Sequence, residues 1–183
     1  MKSSGIFFST VLAIGILANV PVTVAKDRFV HYASPTKFAE KVQKIPLTRN
    51  AGKSPKKVVL SMGPFVLKRG QLVLVTSHSQ FSNRFNYTGG KAINVGMSGV
   101  LILSDSPRGT TGIELTEATG TNISPKRHHD ARYYSTQYLV NRTFSKPMYV
   151  NSVYWGYSTK AKTGDYIKVD QDYSRMEVTI FNP

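Results

Sequence analysis

The segment Lys126-Arg127-His128-His129-Asp130-Ala131-Arg132-Tyr133-Tyr134 gathers the side chains of this chain best equipped for chemistry. Imidazole exchanges protons near neutral pH, a carboxylate orients it, and guanidinium holds an anion. Together they suit general acid and base work on a phosphodiester or a glycan. On a strand, alternate side chains project to opposite faces, so His128, Asp130, Arg132 and Tyr134 share one face while His129 and Tyr133 take the other. A catalytic reading uses His128 or His129 with Asp130. The plainer reading is a solvated strand edge, because proton transfer needs a second positioned group that spacing does not supply.

The same residues suggest a metal, with His128 and His78 joined by Asp130. Only His31, His78, His128 and His129 offer imidazoles, and the chain has no cysteine. Zinc or copper sites need three or four protein ligands, and the cationic surroundings disfavour another cation, so no metal or other cofactor is expected. Asp170, Asp172 and Ser174 imitate the start of a calcium loop. Arg175 stands where such a loop needs glycine and Phe181 where it needs glutamate, so turn chemistry explains these aspartates better.

A binding reading uses the same segment differently. Arg127 and Arg132 attract anions, and Tyr133 and Tyr134 present flat apolar faces with polar edges to sugars or bases. Tyr133, Tyr134 and Tyr154 are expected at the surface, with Trp155 and Tyr157 in packing positions. Phosphate loops, dinucleotide glycine fingerprints, nucleophile elbows and zinc-helix motifs do not occur. Without cysteine, thiol nucleophiles and CxxC redox chemistry are excluded.

Lysine and arginine number 24 against 10 aspartates and glutamates, a formal charge of +14. Such a field attracts polyanions: acidic glycans, lipid head groups of an envelope surface, or nucleic acid. Alternatively it serves only solubility.

The elements that must position these groups begin after a leader. Residues 1–25 read as a signal peptide: Lys2 opens it, Ile6 to Val20 are almost wholly apolar, and Val22-Thr23-Val24-Ala25 offers a small-residue cleavage site. Export, to the periplasm or the exterior, is therefore expected, with no transmembrane span in the mature chain. Residues 26–57 read as a basic arm and linker, with a short helix in which Ser34 caps, Pro35 follows, and Phe38, Val42 and Ile45 recur on one side. Lys37, Lys41 and Lys44 form its polar face, able to meet an anionic surface or simply to remain solvated.

From Val58 onward the period is two, and turn residues interrupt the chain about every ten positions. Val58–Leu67 and Leu72–Phe81 flank the turn Lys68-Arg69-Gly70. Phe85 and Tyr87 share a face before Gly89-Gly90. Leu72–Val75 is apolar enough to be a central strand buried on both sides, and Val100–Leu103 is a second fully apolar run. The segment 127–140 is extended with an ambiguous core face, Val153 and Trp155 share a side, and 167–180 reads as a hairpin turning at Asp170–Ser174. The triplets at Asn86, Asn122 and Asn141 are glycan acceptors only where a host supplies that machinery.

These patterns predict an all-β domain over 58–183, an antiparallel two-sheet sandwich of jelly-roll or immunoglobulin-like type. The function expected first is a binding module for an anionic polymer or envelope surface. A small secreted hydrolase and a self-associating surface subunit are the alternatives.

Overall fold

The computed structural model describes residues 29–34, 43–83, 89–126 and 129–182. Ten strands make up the described chain: β1 (Phe29–Ser34), β2 (Lys44–Thr48), β3 (Lys57–Phe65), β4 (Leu72–Ser82), β5 (Val95–Ser104), β6 (Ile113–Glu114), β7 (Thr119–Ile123), β8 (His129–Leu139), β9 (Met148–Tyr157) and β10 (Tyr166–Phe181). The only helical turn among the described residues is a 3-10 turn at Ala51–Lys53, capped by the Asn50 side chain, which accepts from the Gly52 amide. The all-β expectation holds because β-branched and aromatic residues recur at every second position, a spacing that suits a pleated, half-buried surface.

One hydrogen-bonded path runs β6-β5-β9-β2-β10-β4-β8, with β1 beside β10, β3 beside β9 and β7 beside β5. All pairings are antiparallel except β2 with β9, so the sheet is mixed rather than purely antiparallel, and its two ends do not pair with each other. β2 joins two limbs: its residues Lys44, Ile45 and Pro46 pair with β10, then Leu47 and Thr48 pair with β9.

The limbs share a core. Phe81 of β4 meets Tyr154 of β9 edge-on with ring centres 4.8 Å apart, and Tyr134 of β8 lies 6.2 Å from the same ring. Neither β4 nor β8 is hydrogen-bonded to β9, so these contacts cross the interior. Ile45, Leu60, Leu67, Val73, Leu101, Ile167 and Val178 fill the space around them, each buried side chain contributing about 1.5 to 3 kcal/mol by leaving water. β5 is buried on both faces, as its apolar run requires, with Val100 and Ile102 in a second cluster with Val153; the other apolar run, Leu72–Val75 of β4, is buried on one face only, since Leu72 and Leu74 remain half-exposed beside buried Val73 and Val75.

Several expectations are corrected. The arm and linker at 26–57 supply β1 and β2, and Ile45 lies in β2, wholly buried, rather than on a helix. The rest of that helix, 35–42, lies outside the described residues, as do Phe85, Tyr87 and the leader. β3 and β4 flank their turn without pairing; Leu67 enters the core as the chain crosses from one limb to the other.

The predicted C-terminal hairpin is one 16-residue strand. Asp170 faces Gln80 and Arg175 faces His78, so β10 carries extra residues that bulge out of the ladder. Ser174 closes the bulge: its hydroxyl donates to the Asp170 carbonyl at 2.8 Å and accepts from the Gln80 amide at 3.0 Å. Polar residues that suggested a turn instead serve a bulge, since both geometries need side chains to satisfy displaced backbone groups.

Candidate functional site

Register against β4 settles the ambiguous faces of β8. Val75 faces Thr136, Ser77 faces Tyr134, Ser79 faces Arg132 and Phe81 faces Asp130. Val75, Ser77, Ser79 and Phe81 are all buried, so Asp130, Arg132 and Tyr134 lie on the inner face. The sharing of a face by these three agrees with their spacing, but it is the core face rather than the surface. Tyr134 is buried, with its hydroxyl 2.9 Å from Thr119 Oγ1. Burial pushes its phenol pKa up. Tyr154, expected at the surface, is fully buried, whereas Trp155 is half-buried beneath the Lys56 ammonium. Arg132 reaches toward Asp130, with 3.8 Å between Nη2 and Oδ2.

The outer face carries a different set. His78 of β4 lies opposite Tyr133 of β8, and the two rings stack with centres 4.2 Å apart and planes 10° from parallel. Arg175 of β10 lies opposite His78, and Glu177 lies opposite Thr76. These residues, with Ser135, line an open cleft of about 420 Å³ across three adjacent strands. Tyr133 is 72% exposed, so one ring face remains available above the stack. Burial first, then the Arg175 charge, holds the His78 imidazole below its ordinary pKa and hence neutral near pH 7. Its Nε2 is buried and has no hydrogen-bond partner among the described residues.

This cleft presents a ring platform, a guanidinium and a carboxylate on a rigid sheet. The ring can stack on a sugar or base, the guanidinium can fork onto a carboxylate, sulfate or phosphate, and the carboxylate can accept from hydroxyls. Arg175 and Glu177 were missed in the sequence because the expected hairpin left β10 without a register. The alternation Arg175, Glu177, Thr179 against Met176, Val178, Ile180 was the available signal.

His129 does pair with an aspartate, but with Asp170 of β10 rather than its sequence neighbour Asp130: Nδ1 lies 2.7 Å from Oδ2. Asp130 occupies the inner face and accepts from the Ala131 amide. His78 and Asp130 therefore project from opposite faces of the β4–β8 pair and cannot share an ion; no group of three or more His, Cys, Asp or Glu gathers among the described residues. Lys44 lies on β2 with its ammonium 4.2 Å from the centre of the Tyr166 ring. Arg127, His128, Lys37 and Lys41 lie outside the described residues. No described helix is long and apolar enough to cross a membrane.

Comparison with protein-family models and with curated proteins finds no match to this chain.

Proposed function

We propose that this chain is an exported binding module, built as a two-layer β-sandwich, that holds an acidic glycan on the outer face of β4, β8 and β10. The observation carrying this reading is the exposed Tyr133 ring stacked on His78 beside Arg175 and Glu177. A stacked ring is held in place before the ligand arrives, so little side-chain entropy is lost on binding. Arg175 supplies a planar donor fork for an acidic group, and Glu177 favours a hydroxyl-bearing polymer over a purely phosphate one. The charge of +14 adds long-range attraction to any polyanion. The leader-like residues 1–25 support export, and the shared core between two limbs supports the sandwich.

The test is a binding screen at low and high salt against a uronic-acid polysaccharide, a sulfated polysaccharide, anionic vesicles and single-stranded DNA. The expected result is salt-sensitive binding to an acidic polysaccharide, weakened about fivefold or more by Tyr133→Ala and by Arg175→Ala, since one stacked ring contributes about 1 to 3 kcal/mol. Equal binding by both variants overturns the site. Preference for vesicles or DNA overturns the ligand class.

One observation favours a second reading, a small hydrolase: the 2.7 Å His129–Asp170 contact orients an imidazole at the surface. Polysaccharide or nucleic-acid cleavage abolished by His129→Ala in a folded protein would support it, and cleavage surviving that change would remove it.

A further inference from the structure

We propose that two copies of this chain associate through the free edge of β8, pairing antiparallel about a two-fold axis at Thr136. The inference is independent of what the outer cleft binds. β8 ends the sheet path with β4 as its only partner among the described strands. The Val140 amide donates to Gln71 O, and Val140 O accepts from the Gly70 amide. Backbone direction alternates along a strand, so even-numbered residues of β8 turn their N–H and C=O groups toward β4 and odd-numbered ones turn them outward. Tyr133, Ser135, Gln137 and Leu139 thus present a row of donors and acceptors at the edge.

Natural sheets blunt such edges with charge, proline, glycine or short length. Three other edges follow that practice: β3 includes Lys57, Gly63 and Pro64, β6 is two residues long, and β7 contains Gly120. β1 carries none of these devices, and at six residues it offers little more than half the row that β8 does. β8 runs for 11 residues, and its stretch Tyr133-Tyr134-Ser135-Thr136-Gln137-Tyr138-Leu139 holds no charge, proline or glycine in a chain of net charge +14. That neutrality spares a second copy close charge repulsion.

The exposure pattern names the occupant. Tyr133 and Leu139 are the large apolar side chains most exposed on β8, at 72% and 63%, and each lies three residues from Thr136. An antiparallel pairing centred on Thr136 sets Tyr133 of one copy opposite Leu139 of the other, twice, and Ser135 opposite Gln137, twice. All four outward residues then meet outward residues, which gives about eight backbone hydrogen bonds. The Tyr133 ring lies over His78, back across the sheet, so it leaves the edge open. The resulting continuous sheet carries two outer clefts on one face.

The purified protein is followed by sedimentation from low micromolar to near-millimolar concentration. A monomer–dimer equilibrium is expected, with its dissociation constant raised tenfold or more by Ser135→Pro, which removes an outward N–H, and by Gln137→Lys, which brings charge to the edge without altering the backbone. Far-ultraviolet circular dichroism checks that each variant is folded. Register is read by mixing Ser135→Cys with Gln137→Cys under diamide, these being the only thiols present. A disulfide-linked heterodimer should form in the mixture, with little homodimer from either variant alone. Monomer throughout the concentration range, a dimer unaffected by Gln137→Lys, or equal cross-linking of each variant with itself overturns the proposal.

Discussion

Gly99 sits where side chains of both limbs crowd one position of the shared core, and adding one methyl there measures how firmly the limbs are held together. Gly99 of β5 lies opposite Tyr154 of β9, and a Cβ built on it overlaps the Tyr154 ring and lies 2.7 Å from the Tyr134 hydroxyl. The ring cannot retreat easily, because Phe81 packs against it from β4 and Tyr134 from β8. Overpacking of this kind costs about 1 to 3 kcal/mol, and each kcal/mol moves the midpoint of a domain this size by about 2 to 4 °C. Gly99→Ala should therefore lower Tm by about 2 to 12 °C. Gly120, on neighbouring β7, provides the contrast: its Cβ would meet nothing closer than Ser98 Oγ at 3.4 Å. Gly120→Ala should leave Tm unchanged or raise it slightly, because alanine reduces the freedom of the unfolded chain by about 0.4 to 1 kcal/mol. Differential scanning calorimetry compares the two. Combining Gly99→Ala with Tyr154→Leu should cost less than the sum of the single changes. A Gly99→Ala protein as stable as the parent would mean that β4 and β8 do not press on β9 as described.

Three further outcomes are expected. Asn151 is wholly buried and its amide donates to Ser106 O at 2.9 Å and Gly109 O at 2.8 Å, so Asn151→Ala should cost about 1 to 3 kcal/mol in urea unfolding and speed proteolysis within 105–112; unchanged cleavage there would show that the loop is held otherwise. Because the folded state disfavours protonated His78, the unfolded chain takes up that proton first, and stability should fall as pH drops below the ordinary value of 6.5; His78→Gln should flatten that fall, and an identical slope in the variant would contradict it. The Tyr154 hydroxyl is buried without a well-formed hydrogen bond, so Tyr154→Phe should change stability by less than about 1 kcal/mol, and a loss above about 2 kcal/mol would reveal a strong bond to it.

Alternation at every second residue was legible without any tertiary information, because strands expose their faces by parity alone. It placed Val153 with Trp155, made β5 apolar on both sides, and put Asp130, Arg132 and Tyr134 together. Parity could not say which face was the core. That depended on Val75, Ser77, Ser79 and Phe81 arriving opposite β8, a pairing between residues 49 to 61 positions apart in the chain. The His129–Asp170 contact and the His78–Tyr133–Arg175 group were hidden for the same reason, since each joins separate strands. The bulge in β10 mimicked a turn locally, and only long-range pairing with β4 distinguished the two. Composition and period determine that this chain makes sheets and carries excess positive charge. Tertiary register decides which side chains meet, because contact between distant strands depends on how they align and not on their local preferences.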